Sequence, residues 1–395
     1  MNKIARNVKN SSLQNCTKII LVSSLSFFLS CNTSKGQNVK TFVDGLAKPL
    51  MVENEIPGLS IGITVNGKHS FYNYGILSKD KEAKVTNETL FELGSISKTF
   101  TASLATLSHV EGNLNLSDPV SMYMPELKNT VFDTIALYNL GTHTAGGFPL
   151  QLPDEITNDK QLINYYKTWK PDYPVSAYRV YTNPGIGLLG VIAGKTMREP
   201  FVKAMTDNIF VKMGLKNTFY KVPSEYLDEY AQGYNKTNDP VRVNPAVLAD
   251  EAYGIKSCTK DMITFVDANM GIGNVKNNLS VALMNTHIGY FKTTEMTQNL
   301  IWEQYNYPVS LERLQKGNSY DMIYKPNPVK EILPHQQPES NVLINKTGST
   351  NGFGGYVMFV PSKKIGVVIL ANKNYPNSSR IETAYKILSY IEKKL

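Results

Sequence analysis

The chain has 395 residues, of which 42% are hydrophobic and 19% charged, so it is long enough to bury a large core in one to three domains. Its formal net charge is +8, but residues 1–36 carry five basic side chains and no acidic one, which leaves only +3 for the rest. This small surplus gives no support to nucleic-acid binding.

Residues 1–36 have the pattern of an export signal. A basic segment ends at Lys18, and the apolar run that follows it is too short to span a bilayer. A small residue before Cys31 then resembles a lipoprotein cleavage site, and ordinary cleavage near Gly36 is the alternative. The sequence therefore predicts a periplasmic protein, and a lipid anchor at Cys31 stays an open alternative.

The available residue types give little support to metal sites or disulfides. Cys258 is the one cysteine beyond the leader, so the exported chain can form neither an internal disulfide nor a thiolate metal site. The five histidines are dispersed, without an H-x-H or H-E-x-x-H pair. A zinc hydrolase is therefore not expected, and we predict no cofactor and no metal ion.

The first predicted elements are a helix and a hairpin. Apolar residues at helical spacing between Val39 and Met51 predict an amphipathic helix. Leu59–Val65 has the composition of a strand, and Asn66-Gly67 is typical of a tight turn. His69–Tyr74 is then the returning strand.

A helix is predicted to begin at about Ser95, because Gly94 interrupts the chain and apolar residues follow at a period of three to four. On such a helix Ser95 and Lys98 lie side by side, one turn apart. A serine hydroxyl becomes a good nucleophile when a base takes its proton, and a desolvated lysine can do so. The positive end of the helix can in addition stabilise negative charge. Taken alone, S-x-x-K is a weak signal, since chance matches are common.

Two other motifs are false leads. Residues 58–62 match the G-x-S-x-G nucleophile elbow around Ser60, but that elbow joins a strand to a helix, and here it begins a strand that leads into a hairpin. Residues 185–190 match G-x-G-x-x-G, but no βαβ pattern surrounds them and Pro184 interrupts their beginning. We interpret these glycines as positions for close helix packing.

The middle of the chain is irregular. His143 lies in a turn rich in threonine and glycine without an identifiable acidic partner, which favours a structural role. Tyr181 and Asn183 follow on a short turn, where a phenol and an amide point in the same direction. Helical stretches broken by glycine and proline come next, and residues 230–253 are predicted to form an extended loop.

The C-terminal part returns to strands and closes with a helix. Val342–Ile344 is apolar, the segment beginning at Lys346-Thr347-Gly348 intervenes, and Tyr356–Val360 with Ile365–Leu370 predicts an antiparallel hairpin. Ser379–Leu395 has an apolar face at helical spacing.

Strands at both ends and helices between them predict one antiparallel sheet flanked by helices, with a mostly helical insert. We expect a single domain over residues 38–395. Its sheet region would comprise residues 38–115 and 311–395, and residues 116–310 would form the helical insert.

Three motifs in a fixed order carry a family resemblance: S-x-x-K at Ser95, Y-x-N at Tyr181 and K-T-G at Lys346. The chain resembles the serine β-lactamase and penicillin-binding protein superfamily, and within it the class C β-lactamases, over residues 38–395. Class A enzymes carry S-D-N in place of Y-x-N. The resemblance implies an α/β (α+β) β-lactamase/transpeptidase-like fold. It also implies hydrolysis of penicillins and cephalosporins through an acyl-enzyme, and thus antibiotic resistance.

The resemblance implies catalytic roles for four residues. Ser95 would attack the lactam carbonyl, and the backbone N–H groups of Ser95 and Ser349 would form the oxyanion hole. Lys98 and Tyr181 would together move the serine proton. Lys98 and Lys346 would lower the pKa of Tyr181 from its ordinary value of about 10. Whether Tyr181 or Lys98 is the formal base stays open.

The substrate contacts also follow from the resemblance. Gln151 and Asn183 would bind the side-chain amide of the substrate, and Tyr253 would line its side-chain pocket. The residues expected around the substrate carboxylate and along the K-T-G segment are Thr347, Gly348, Ser349, Asn374, Asn377 and Arg380. An arginine suits an anion. One departure is Gly141, which replaces the more usual leucine and would loosen the local packing.

Two other functions stay open. A D-Ala-D-Ala carboxypeptidase or an esterase would use the same fold and acyl-enzyme, although Asn374, Asn377 and Arg380 with Gln151 and Tyr253 resemble class C lactamases more closely. A non-catalytic penicillin sensor would usually carry transmembrane helices, and only the leader is apolar enough here. We expect a monomer that binds a small β-lactam, without a nucleic-acid or stable protein partner.

Overall fold

The structure is a computed structural model that describes residues 38–275 and 277–395. The predicted leader and Cys31 lie outside the described residues. Residues 38–53 are helical, in agreement with their apolar spacing, and residues 47–395 form one compact unit. In the part of the chain that the structure describes, no helix is both long and apolar enough to cross a membrane.

The described residues contain sixteen strands. The first eight are β1 (Gly58–Val65), β2 (Lys68–Ser78), β3 (Lys81–Lys84), β4 (Phe91–Glu92), β5 (Tyr178–Arg179), β6 (Gly233–Tyr234), β7 (Pro240–Val241) and β8 (Lys256–Ser257). The others are β9 (Gly289–Lys292), β10 (Thr297–Asn299), β11 (Glu303–Asn306), β12 (Asn327–Pro328), β13 (Lys330–Gln336), β14 (Val342–Ser349), β15 (Gly354–Val360) and β16 (Ile365–Ala371).

Ten of these strands form one sheet, in the order β13-β9-β10-β11-β14-β15-β16-β1-β2-β3. The predicted antiparallel sheet built from both ends of the chain is confirmed, since β1 pairs with β16 from Leu59↔Ala371 to Val65↔Ile365. The helical insert expected over residues 116–310 extends too far, however, because β9, β10 and β11 belong to the sheet. Strands of three or four residues are too short to show a clear alternation of apolar and polar residues.

The helices of the described residues lie mostly between β4 and β9 in the chain. They are α1 (38–53), α2 (Ser97–Val110), α3 (Val120–Tyr123), α4 (Leu137–Gly141), α5 (Asp159–Thr168), α6 (Asn183–Thr196), α7 (Phe201–Met205), α8 (Val211–Met213), α9 (Ala249–Ala252), α10 (Thr259–Asn269), α11 (Asn278–Asn285), α12 (Leu311–Gly317), α13 (Tyr320–Tyr324) and α14 (Asn377–Glu392). Residues 230–253, predicted as an extended loop, contain only the short β6, β7 and α9.

Helices α10 and α14 cover opposite faces of the sheet. Gly366 of β16 faces Val266 of α10, whereas Gly354 of β15 faces Arg380 of α14. Gly354 pairs with Ala371, which is five residues beyond Gly366 and therefore on the other face. Helix α2 packs between α6 and α11, and its residues from Ser97 to Ser108 are buried. The helix that follows Ser95 is thus the centre of the helical region.

The two false leads have structural explanations. Ser60 lies inside β1, where its hydroxyl donates to Asn73 Oδ1 at 2.6 Å and lies 2.7 Å from the Thr259 hydroxyl. No strand-to-helix turn exposes it. In α6, a Cβ on Gly187 would lie 2.7 Å from Leu248 Cδ1, and one on Gly190 would lie 2.7 Å from Glu251 Cγ. These glycines do allow close helix packing.

Two local expectations need correction. The K-T-G residues do not form a connecting segment: they continue β14, which pairs with β15 as far as Ser349↔Gly354. Gly141 does not loosen its surroundings either. A Cβ added to it would lie 2.6 Å from Leu300 Cδ1 and 3.1 Å from Leu189 Cδ2, so these leucines already fill the space that a larger side chain would occupy.

A buried histidine makes the folded state sensitive to acid. His287 is 1% exposed, with Nε2 at 3.1 Å from Asn269 Oδ1, and burial lowers the pKa of His287 to about 3. The unfolded chain takes up this proton below a pH of about 6.5, whereas the folded protein does so only near pH 3, so stability is lost as the pH falls. We expect this residue to lower the free energy of unfolding by up to about 1.4 kcal/mol per pH unit between about pH 6 and 4.

Urea unfolding at several pH values measures this slope. His287→Asn, which keeps a polar partner for Asn269, should give a shallower dependence on pH than the wild type. An equal slope for the two proteins would show that the protonation of His287 does not contribute.

Candidate active site

The segment that carries Ser95 and the end of β14 touch through their backbones. Gly94 has a φ of +52°, and a Cβ on it would lie 2.4 Å from the carbonyl oxygen of Ser349. A Cβ on Gly348 would lie 2.1 Å from the carbonyl oxygen of Leu93. Only glycine fits at both positions. This contact brings the backbone amides of Ser95 and Ser349 into the same neighbourhood.

Ser95 and Lys98 are adjacent, as their spacing predicts. Ser95 lies in a single 3-10 turn, Gly94–Ile96, that leads directly into α2. The ammonium of Lys98 donates to Ser95 Oγ at 2.9 Å and to the carbonyl oxygen of Ala252 at 2.9 Å. Lys98 is 0% exposed. Its head group is therefore held against the serine hydroxyl.

Burial changes the protonation of Lys98. Loss of water around the ammonium lowers the pKa of Lys98 to about 8; nearby Tyr181 opposes this shift and the charge of Lys346 adds to it. A lysine with such a pKa is partly neutral near physiological pH and can accept a proton.

Tyr181 lies between the two lysines. The Nζ atoms of Lys98 and Lys346 lie 5.4 and 5.1 Å from the centroid of its ring. Burial alone would raise the pKa of Tyr181, but the charges of Lys346 and Lys98, together with the neighbouring Ser95 hydroxyl, lower this pKa to about 8. Tyr181 and Lys98 thus titrate in the same range and interact, so their apparent pKa values belong to the pair.

A helix cap fixes the direction of Tyr181 and Asn183. Thr182 is the N-cap of α6: its hydroxyl accepts from the N–H of Gly185 at 3.4 Å, and its own N–H donates to Nδ1 of His143 at 3.3 Å. The ring of His143 lies 4.4 Å from that of Tyr181. Burial, followed by the charges of Arg179, Lys98 and Lys346, lowers the pKa of His143 well below its ordinary range. The neutral imidazole therefore supports Tyr181 as a packing partner.

These residues open into a cleft of about 440 Å³. The predicted residues that line it are Ser95, Gln151, Tyr181, Asn183, Tyr253, Lys346, Thr347, Gly348, Ser349, Asn374 and Asn377. Asn183 Oδ1 is buried and has no hydrogen-bond partner within the described residues, so it is free to accept from a ligand. Lys98 is not among the lining residues, but its ammonium contacts Ser95, which does line the cleft.

Arg380 differs from its predicted place. Instead of lining the cleft, it is 0% exposed, and its guanidinium donates to the carbonyl oxygens of Gly348, Gly355 and Tyr375. It also donates to Ser349 Oγ at 3.0 Å. Arg380 lies on α14 behind β14, so a substrate carboxylate in the cleft would meet Thr347, Asn374 and Asn377 first. Its contacts position the end of β14.

Sequence reasoning missed a buried ion pair in the cleft wall. Arg179 NH2 lies 3.0 Å from Glu303 Oε1, and both residues line the cleft. The guanidinium of Arg179 also lies 5.4 Å from the centroid of the Tyr181 ring. Arg179 stands two residues before Tyr181 in an extended segment, so both side chains lie on one face. This spacing could have indicated that Arg179 lines the cleft. Glu303 lies on β11, for which the sequence shows no comparable signal.

The arrangement has the components of acyl transfer to a serine. A hydroxyl nucleophile touches a lysine of lowered pKa, a tyrosine of lowered pKa lies beside it, and two backbone amides meet nearby. Such a set can activate the hydroxyl and stabilise the oxyanion of a tetrahedral intermediate. The fold and cleft therefore fit the class of serine hydrolases that act through a covalent acyl-enzyme.

A family model described as "Beta-lactamase" matches residues 43–392, and the chain belongs to this family. A beta-lactamase of Pseudomonas fluorescens is 47% identical over 355 residues, which cover 90% of this chain and 99% of that protein.

Solved structures agree with this assignment. A class C beta-lactamase solved in complex with cefoxitin is 47% identical, with a TM-score of 0.88, over 90% of this chain and 99% of that one. A protein from Pseudomonas syringae described as a beta-lactamase/D-alanine carboxypeptidase is 50% identical, with a TM-score of 0.88, over 89% of this chain and 99% of that one. The predicted resemblance to class C enzymes and the predicted fold are confirmed.

Proposed function

We propose that this protein is a class C serine β-lactamase that hydrolyses the β-lactam amide of penicillins and cephalosporins through an acyl-enzyme on Ser95. The observation that carries the proposal is the 2.9 Å contact between Lys98 Nζ and Ser95 Oγ, next to a tyrosine whose pKa is lowered to about 8. A serine hydroxyl paired with groups that accept a proton near neutral pH is ready for nucleophilic attack.

In the proposed acylation step, Ser95 Oγ forms a bond to the lactam carbonyl carbon while its proton passes to the pair of Tyr181 and Lys98. The N–H groups of Ser95 and Ser349 stabilise the oxyanion. The C–N bond of the ring then breaks, and the lactam nitrogen receives the proton. In deacylation a water molecule attacks the ester, gives its proton to the same pair, and releases the ring-opened acid as Ser95 Oγ is reprotonated.

The polar residues of the cleft divide into two groups in this proposal. Gln151 and Asn183 bind the side-chain amide of the substrate, with Tyr253 against the side chain itself. Lys346, Thr347, Asn374 and Asn377 bind its carboxylate. The ammonium of Lys346 and the hydroxyl and amide donors of the other three residues suit the negative charge of a carboxylate.

A second candidate activity is D-Ala-D-Ala carboxypeptidase. It is favoured by the 50% identity to the protein from Pseudomonas syringae, whose description names both activities. The same serine, base pair and oxyanion hole would cleave a peptide bond that precedes a C-terminal carboxylate. In this reaction the leaving group departs, whereas a β-lactam nitrogen stays attached to the acyl group.

We further propose that the protein is exported to the periplasm by residues 1–36, acts there as a monomer and confers antibiotic resistance on the cell. A lipid anchor at Cys31 and cleavage near Gly36 are the two outcomes of processing. Intact mass of the protein purified from cells separates them, because lipidation adds acyl chains to an N-terminal Cys31.

A substrate panel tests the proposed function. We expect purified protein to hydrolyse nitrocefin and benzylpenicillin with kcat/KM in the range of about 10⁴–10⁸ M⁻¹s⁻¹ that is usual for enzymes, and to release D-alanine from an acyl-D-Ala-D-Ala peptide far more slowly. Faster turnover of the peptide than of both β-lactams would make carboxypeptidase the main activity. Stable acylation without turnover would indicate a penicillin-binding sensor.

A further inference from the structure

Glu92 has a buried carboxylate three residues before the nucleophile. It is 2% exposed, and both of its oxygens accept hydrogen bonds. Oε1 accepts from the Tyr230 hydroxyl at 2.7 Å and from the backbone N–H of Val243 at 2.8 Å, and Oε2 accepts from the Thr350 hydroxyl at 2.6 Å. All three donors come from segments that are far from Glu92 in the chain.

Two of these donors belong to segments that line the cleft. Val243 lines it shortly after β7. Thr350 lines it directly after Ser349 at the end of β14, and its carbonyl oxygen accepts from Asn374 Nδ2 at 3.0 Å. Glu92 therefore connects the strand that leads to the nucleophile with both of these lining segments.

The charge of this carboxylate is balanced by donors more than by a direct ion pair. In the described ranges, 38–275 and 277–395, no basic side chain lies within ion-pair distance of Glu92. Its cross-strand neighbour is Lys256; burial lowers the pKa of that lysine, and the charge of Glu92 opposes this shift. Burial and Glu92 both raise the pKa of Tyr230, so its hydroxyl stays protonated and donates. A buried carboxylate with three donors holds them firmly, because leaving any of these groups unpaired is costly.

We propose that Glu92 is a positioning residue for acyl transfer at Ser95: by anchoring Thr350 and Val243, it aligns the oxyanion donor on Ser349 with the nucleophile and holds the two lining segments together. The proposal rests on the proposed acyl-enzyme function. The backbone contact of Gly94 with Ser349 brings the two amides together, and Glu92 holds the next residue, Thr350, so that the end of β14 cannot move away. Displacements of about 1 Å in such arrangements cost up to about a hundredfold in rate.

Two variants and a matched control test the proposal. Glu92→Ala removes all three contacts. Tyr230→Phe removes a single donor, outside the cleft lining, and keeps the ring that stacks on Phe353. The control is Asp261→Ala: Asp261 is also a buried carboxylate, which accepts from the N–H of Asn217 at 2.7 Å and the hydroxyl of Thr218 at 2.8 Å, away from the cleft.

Amide hydrogen exchange of residues 241–245 and 349–353 is measured first, without substrate, and kcat/KM for nitrocefin second. We expect Glu92→Ala to exchange faster in both segments and to have a kcat/KM about 10 to 100 times lower than the wild type. Tyr230→Phe should show smaller changes in the same directions. Glu92→Gln, which keeps the shape of the side chain and an acceptor oxygen, should recover most of the rate. Asp261→Ala should lower the Tm and leave kcat/KM unchanged.

Unchanged exchange in both segments for Glu92→Ala and Tyr230→Phe would overturn the proposal. A loss of kcat/KM no larger than that of Asp261→Ala would overturn it as well. If Glu92→Ala does not fold, Tyr230→Phe decides by the same criteria. If the wild type does not hydrolyse nitrocefin, the proposed function is wrong, and the exchange measurement alone then decides whether Glu92 holds the two lining segments.

Discussion

Ser95→Ala is expected to lower kcat for nitrocefin by a factor on the order of 10⁶, the scale seen when a serine hydrolase loses its nucleophile. The variant should keep the fold, because Ser95 lies in a short turn that lines the cleft, where its hydroxyl accepts a hydrogen bond from Lys98. Steady-state kinetics and thermal unfolding measured on the same preparation separate the two effects.

The matched control for this result is Ser60→Ala, which removes the serine of the rejected nucleophile elbow. Ser60 is buried in β1 and bonded to Asn73 and Thr259, so its loss should cost some stability and leave kcat unchanged. If Ser60→Ala lost turnover with a preserved Tm while Ser95→Ala kept it, Ser60 would be the nucleophile and the assignment to Ser95 would be wrong.

Tyr181→Phe and Lys346→Ala should fail in different ways. Tyr181→Phe keeps the ring between the lysines and removes the hydroxyl that moves protons, so kcat should fall by about 10²–10⁴-fold with a smaller change in KM. Lys346→Ala removes the largest of the charges that lower the pKa of Tyr181, together with a cation in the cleft. Its KM should rise more for an anionic β-lactam than for an uncharged acyl ester.

The dependence of kcat/KM on pH distinguishes these variants further. Because the pKa values of Lys98 and Tyr181 are both lowered to about 8, activity should rise with pH through this region as the pair loses a proton. In Lys346→Ala the pKa of Tyr181 rises, so the ascending limb of the pH profile should move to higher pH.

Equal KM changes for the anionic β-lactam and the uncharged ester would rule out a carboxylate-binding role for Lys346. Near-normal kcat in Tyr181→Phe would make Lys98 the working base.

Local spacing predicted which neighbouring residues of the candidate site lie side by side, whereas the family resemblance predicted that they and Lys346 form one site. Ser95 and Lys98 are adjacent through the period of one helix, and Tyr181 and Asn183 through one capped turn. The hydrophobic runs at both ends predicted the paired β1, β15 and β16. Such features depend on neighbouring residues in the sequence, and those interactions are preserved when the chain folds.

The contacts that the sequence did not predict are formed between distant segments. The carbonyl of Ala252 accepts from Lys98 across 154 residues, and Glu92 meets Thr350 across 258 residues. No periodicity marks such partners. The resemblance placed Arg380 near the substrate carboxylate, but a sequence pattern does not tell on which side of β14 a side chain from α14 arrives.

The central claim, a covalent acyl-enzyme on Ser95, is tested most directly by mass spectrometry after incubation with a slowly hydrolysed β-lactam. The account predicts a single adduct with the full mass of the antibiotic, since the opened ring stays attached, and a digest that places it on the peptide containing Ser95. An adduct on the peptide with Ser60, or turnover with a trapped intermediate on another residue, would contradict it.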